Sequence, residues 1–464
     1  MSESMVQTLR LPLFAIVAGC LFVADSQGQV DPRQLGFNIP PGPIQAGEGR
    51  RVVTPDESGQ MVVGRVHVQV GKNQIVMLPD GKLVVRGAGK FEPTERPFKA
   101  ATKDAIAKEL LAGRFNDFHT KQTGRYLFVY NTSKAFADTA SIILETMVKG
   151  VVLHAKAMRV DVHEPTVPLV VIMFRTEAEF QKFRRMPAGV VAYYNILSNR
   201  VLMYEQSKLW KVDPRLAIQQ SLSTIAHEGA HQILHNIGMQ KRLSVWPMWL
   251  SEGLAEYFAP TSTGNRLRWK GAGKINDMRM FELERYLTGK TEGWDGKTIE
   301  HTVAAARLTS TGYASAWALT HYLAKMQRPK FNEFVRHTSK LGPLEGSLRV
   351  VAPGVIPDNV RVFREHFANE FPDLEKRLFL YLRRQPYNPP FAGSPHYVAM
   401  IRYPNGRVAA RTANMFFSKE NADRWLQQTM ARLSGEQRKV AKSSVQKFPN
   451  RLKAVQFTRL WTGG

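Results

Sequence analysis

Ser223–His235 reads STIAHEGAHQILH, and within it His227, Glu228 and His231 form the pattern His-Glu-x-x-His. On a helix, residues four apart lie on one face one turn apart, so both imidazoles can reach a single ion. Glu228 sits beside the first histidine, where its carboxylate can take a proton from a metal-activated water. Two neutral imidazoles and one carboxylate suit Zn2+, which in catalytic sites keeps a fourth position open for water. A third ligand is therefore needed. The longer pattern that adds a glycine and a third histidine fails here, because Leu234 and Ile237 occupy those positions. His235 lies one turn past His231, too far along the helix to share the ion. Twenty-one residues after His231, Glu252 falls in the run WLSEGLAEYF (Trp249–Phe258), which opens a second helix. Glu252 and Glu256 are one turn apart on it. The first can bind the metal, and the second can hold the free ring nitrogen of a ligating histidine.

These helices need a frame. Ile225, Ala226, Ala230, Ile233 and Leu234 give the first helix apolar faces, so it is expected to be buried. Upstream, Tyr126–Asn131 and Pro168–Phe174 read as strands, with a long amphipathic helix over Ala135–Ala155 between them and another over Glu177–Arg185. Gly189–Asn195 and Arg200–Tyr204 pair as strands across Ile196–Asn199. Residues from about Arg215 to Leu382 read as mostly helical. Before this body, Met61–Val70 alternates in strand fashion, and Pro79-Asp80-Gly81 is a hairpin turn. The expected layout is an export signal over 1–28, a linker and small β module over 29–115, a catalytic domain over 116–385, a linker over 386–395 and a small α+β unit over 396–464.

HEGAHQ followed by WPMWLSEGLAEYF resembles the gluzincin (peptidase MA-like) zinc metallopeptidases, with the similarity running from about Tyr126 to Leu382. The resemblance implies an α+β, zincin-like domain: a twisted sheet whose edge strand lies over the active-site helix, followed by a mostly helical lobe. It implies His227, His231 and Glu252 as zinc ligands, Glu228 as general base, and Glu256 as the acidic residue contacting the first histidine. Gly189–Tyr204 is similar to the edge strand of that superfamily, which implies backbone pairing with an extended peptide or protein substrate. Tyr193 and Tyr194 would then line the cleft, unless they are ordinary sheet aromatics. Tyr313–Leu323 (YASAWALTHYL) resembles the helix that carries an oxyanion-stabilising tyrosine in related aminopeptidases. That implies catalysis by Tyr313, unless it serves only in packing or capping. His321 reads as structural. No acidic amine-binding motif stands near the edge strand, which leans the expectation towards an endopeptidase.

Composition agrees with a globular chain. Of 464 residues, 44% are hydrophobic and 22% charged, which excludes global disorder, a coiled coil and a multi-span membrane protein. There is no P-loop, no dinucleotide fingerprint after a strand, no nucleophile elbow and no Cys-x-x-Cys. The single cysteine, Cys20, falls in the apolar run Leu11–Ala24, which has the layout of a secretory signal. Cleavage after Ser26 or Gly28 would release a soluble protein; Val17-Ala18-Gly19-Cys20 resembles a lipobox, which would anchor the chain to a membrane through Cys20. A retained N-terminal segment is a third way to a membrane. Either way the chain is expected to be exported. The net charge is +25, and residues 396–464 hold 13 basic against 3 acidic residues, 13 − 3 = +10. For an exported protein this suggests docking to an anionic cell-envelope polymer rather than to nucleic acid. The expected function is an exported zinc metallopeptidase. The alternative is a catalytically silent, zinc-containing scaffold of the envelope.

Overall fold

A computed structural model describes residues 32–463 except 188, 208–209, 211–213, 263–267, 290–292, 347–357, 369 and 407. The expected export signal lies outside the described residues. Among those described, no helix is long and apolar enough to cross a membrane. The fold is mixed α and β, in two compact units that divide between Tyr387 and Asn388.

The first sheet is antiparallel throughout. It contains β1 (Ile44–Ala46), β2 (Arg51–Pro55), β3 (Met61–Val70), β4 (Asn73–Met77), β5 (Leu83–Arg86) and β6 (Glu92–Pro93), in the order β5-β4-β3-β2-β6 with β1 on β3. Alternation in β3 turns Val66, Val68 and Val70 inward, and Gly81, at φ 87°, closes the turn before β5. This sheet belongs to the same compact unit as the residues that follow it.

The second sheet frames the site. It contains β7 (His119–Gln122), β8 (Tyr126–Tyr130), β9 (Leu169–Thr176), β10 (Ala192–Asn195) and β11 (Arg200–Gln206), in the order β10-β11-β9-β8-β7. The middle strands β8, β9 and β11 are parallel, and β10 and β7 run antiparallel at the two edges. Parallel strands are covered on both faces, which is why Tyr126–Tyr130 and Leu169–Phe174 read as unbroken apolar runs. After α1 (Lys103–Ala112), the helix α2 (Lys134–Ala157) crosses from β8 to β9, and α3 (Glu177–Phe183) follows β9. Thr176 and Glu179 form a capping box at the start of α3, while extended backbone at Arg184 ends it earlier than the sequence suggests.

The helical part comprises α4 (Pro214–Asn236), α5 (Met248–Phe258), α6 (Asp277–Gly289), α7 (Lys297–Ala304), α8 (Ser310–Met326), α9 (Arg328–Ser339), α10 (Asp358–His366) and α11 (Phe371–Arg383). One continuous core joins α2, α4, α5 and α8 to the inner face of the second sheet. A smaller cluster packs Val68, Val70, Ile75 and Leu83 of the first sheet against Leu243, Leu344 and the Ile196-Leu197 turn between β10 and β11. The buried Arg242 fastens that junction, donating to the Gly81 carbonyl at 2.7 Å and to the carbonyls of Ile196 and Leu197 at 3.0 and 3.1 Å. The His67 Nε2 lies 2.7 Å from the Arg242 carbonyl.

The second unit holds β12 (His396–Asn405), β13 (Val408–Phe416), α12 (Lys419–Ala431), α13 (Gly435–Val440), β14 (Lys442–Phe448) and α14 (Arg451–Thr462). Its strand order is β13-β12-β14. One face packs Ala399 and Ile401 against α12, and the other packs Val398 and Met400 against α14. Among the aromatics of this unit, Tyr397, Phe416, Trp425, Phe448, Phe457 and Trp461 join these two clusters.

Buried His321 and half-buried His67 and His154, outside the site, contribute to a pH dependence. Burial lowers His67, His154 and His321 to about 4, against roughly 6.5 in an unfolded chain. Between these values the unfolded chain binds protons that the folded chain refuses, so stability falls as pH drops through that window. These three histidines add no slope above about pH 7, and through them thermal melts should fall as pH drops from about 6.5 to 4. His67→Gln should make that fall shallower; an unchanged slope would remove His67 from the account.

Candidate metal centre

The register of α4 puts His227, Glu228 and His231 at the core side of the helix, at 3%, 1% and 8% exposure. Two glycines allow the neighbouring helices to come close. A Cβ on Gly229 would meet Leu144 Cδ2 of α2 at 2.2 Å. A Cβ on Gly253 would meet Thr320 Oγ1 and the Ala316 carbonyl of α8 at 2.1 and 2.7 Å. Packed in this way, α5 delivers Glu252 and Glu256, both buried, to the histidines on α4.

Three donor atoms converge. The Nε2 atoms of His227 and His231 are 3.2 Å apart, and Glu252 Oε2 lies 3.1 and 3.2 Å from them. A tetrahedral ion with ligands at about 2.0–2.1 Å would space its donors by roughly 3.3–3.4 Å. The buried triad therefore fits a metal ion. The second expected glutamate stands behind the first histidine, with Glu256 Oε1 2.9 Å from His227 Nδ1. Glu256 is itself held by Asn276 Nδ2 at 2.8 Å and Arg279 Nη2 at 2.5 Å, both from the start of α6. Arg279 also pairs with Glu282 at 2.8 Å.

Electrostatics follow from this crowding. Burial opposes charge on His227, but the Glu256 and Glu252 carboxylates outweigh it and push its pKa up to about 10. Burial likewise opposes ionisation of Glu256, yet Arg279 and His227 bring it down to about 2. Against the same burial, the two histidines hold Glu252 well below the usual carboxylate range.

Glu228 is set apart from the ligands. Its Oε2 accepts the backbone N–H of Tyr194 on β10 at 2.7 Å, and its Oε1 is buried with no hydrogen-bond partner among the described residues. Burial raises its pKa, offset in part by His227 and His231. Tyr313, on the first turn of α8, is buried with its ring edge-on to His227 at 6.0 Å. Burial and the nearby Glu252 and Glu228 push its hydroxyl pKa well up, so it stays protonated as a donor.

The two edge-strand tyrosines face different surroundings. The Tyr193 ring packs against Phe180 at 5.8 Å, with the Arg184 guanidinium 5.7 Å from its centre. The Tyr194 hydroxyl donates to Asn199 Oδ1 at 2.8 Å, and its ring stacks on His235 at 5.6 Å. His235 Nδ1 lies 3.0 Å from the Gln240 carbonyl, outside the triad. His321 lies between the Gly273 carbonyl at 3.2 Å and the Tyr381 hydroxyl at 3.0 Å. Sequence reasoning missed Asn276 and Arg279, which carry no local signal, and also a buried amide cluster. In that cluster Asn199 and Asn236 exchange hydrogen bonds of 2.9 and 2.7 Å, and Gln232 donates to the Asn199 carbonyl at 2.8 Å.

Residues 221–345 match the family described as "Protein of unknown function (DUF1570)". That stretch contains the whole triad with Glu228, Glu256, Arg279 and Tyr313. No curated protein matches the chain.

Two substitutions test the positioning of the triad. Arg279→Met should weaken metal binding roughly 10–100-fold in a chelator competition, because Glu256 loses its anchor behind His227. Gly253→Ala should lower stability by about 1–3 kcal/mol in a denaturant melt, since the Ala316 carbonyl is main chain and cannot swing aside.

Proposed function

We propose that this protein is an exported zinc-dependent metallopeptidase of gluzincin type that cleaves within peptide chains. The observation that carries the reading is the pairing of a buried two-histidine, one-glutamate donor set with a neighbouring glutamate that is no part of it. A site that served only to brace the fold would have no use for a buried carboxylate oxygen left without a partner beside the donors. The sheet adds support, since β10 runs antiparallel at its edge beside α4, as the edge strand of a zincin does. Export rests on the apolar run Leu11–Ala24.

Zn2+ suits these donors and, when bound, supplies a Lewis acid that makes water nucleophilic near neutral pH and polarises a peptide carbonyl. Glu228 takes the proton of the attacking water on Oε1 and passes it to the departing amine. The Tyr194 amide keeps the other oxygen in place, so the carboxylate is aimed before substrate arrives. Glu256, fixed by Arg279 and Asn276, keeps the His227 ring oriented. Tyr313 donates its hydroxyl to the developing oxyanion. An extended substrate lies along the outer edge of β10, where main-chain pairing supplies affinity and side-chain pockets supply selectivity.

Metal analysis with cleavage of casein or a peptide library tests this reading. Wild-type protein should contain one equivalent of zinc and cleave. Glu228→Ala should retain zinc and lose about 10²–10⁴-fold in rate. Zinc at full occupancy without cleavage of any amide substrate would instead mark a scaffold.

A further inference from the structure

The C-terminal unit has a charge imbalance, part of which its fold gathers on the sheet face that α14 covers. Its acidic residues are all engaged locally on α12 and α13: Asp423 with Lys419 at 2.8 Å, Glu420 with Arg424 at 2.9 Å and Glu436 with Lys439 at 2.9 Å. From Gln437 to the end of the chain there is no acidic residue.

Strand register then aligns cations. Arg402 on β12 lies directly opposite Arg411 of β13 on one side and Lys442 of β14 on the other. Alternate residues of a strand share a face, so Arg402 shares the face of Val398 and Met400, which α14 covers. All three cations are exposed. Like charges directly opposed across a sheet are destabilising, and here two such pairs share one residue.

The outer side of α14 continues the pattern. Ala454, Phe457 and Trp461 turn towards the sheet. Leu452 and Leu460 are 64% and 78% exposed, and Lys453 and Arg459 are exposed beside them. Apolar residues and cations without an acid on one outward helix face suit an anionic lipid surface, with carbon entering the acyl boundary and charge meeting phosphate. A soluble polyanion would match the cations but leave both leucines in water.

We infer that α14, with the row Arg411–Arg402–Lys442, docks the C-terminal unit on the surface of an anionic phospholipid bilayer. The inference does not depend on the metal centre.

Co-sedimentation of the full chain with phosphatidylcholine vesicles, with or without phosphatidylglycerol, tests it. Leu11–Ala24 is common to every variant, so the difference between the two vesicle types isolates the anionic contribution. Wild-type protein should prefer the anionic vesicles. The R402Q/K442Q double variant should lose roughly 25-fold of that binding, about fivefold per cation, with no drop in melting temperature. The L452S/L460S variant should lose at least roughly tenfold on vesicles, yet bind soluble polyphosphate as wild type does. Equal binding to both vesicle types overturns the proposal. So does an L452S/L460S variant that binds vesicles normally while R402Q/K442Q loses both vesicles and polyphosphate, since the partner would then be a soluble polyanion.

Discussion

Three carboxylates are buried within two adjacent helices, and compensating their charge is the constraint around which the larger unit is arranged. Glu228, Glu252 and Glu256 are each no more than 5% exposed. Leaving such groups ionised and unpaired in an apolar core would cost several kcal/mol apiece. The compensation is divided. Among the described residues, Glu256 has Arg279 and Asn276, Glu228 has one main-chain amide, and Glu252 has the two histidines. A protonated His227, its pKa pushed up to about 10, shares that load; with both histidines neutral, as metal ligands must be, three negative charges face one guanidinium. Half-buried Glu282, which shares that guanidinium, deepens the deficit. A divalent cation at the triad is the natural balance, and its donors stand in place for it.

The same constraint explains why part of the site was legible in the sequence. His227, His231 and Glu228 are fixed relative to one another by the pitch of one helix, and Glu252 relative to Glu256 by another, so residue spacing encodes both. Only the helix–helix approach had to be supplied by the fold. Arg279 and Asn276 were not legible because their partner, Glu256, is reached by a tertiary contact across a loop and a new helix. The amide cluster of Asn199, Gln232 and Asn236 escaped for the same reason. In the sheets, the continuous apolar runs of β8 and β9 and the β10–β11 hairpin were readable. The strands β7 and β14 were not, because they are polar edge strands with few inward side chains.

The first sheet is more than a preface to the helices that follow. Through Arg242 and the Leu243 cluster it grips the turn between β10 and β11, and that hairpin carries the amide that holds Glu228. Arg242 is a buried cation satisfied by carbonyls rather than by an acid, so its contacts are directional. The β module and the buried amide cluster thus brace the edge strand from opposite ends of the same turn.

The link between Tyr194 and Glu228 has an evolutionary side. Because the donor is the peptide N–H, the orientation of the carboxylate is insulated from whatever side chain position 194 acquires. Among the standard residues only proline would remove that donor outright. The strand can therefore vary its side chains while the Glu228 carboxylate on α4 keeps its aim. The side chain of position 194 and its peptide N–H act through separable atoms, so a lineage can change one without dismantling the other.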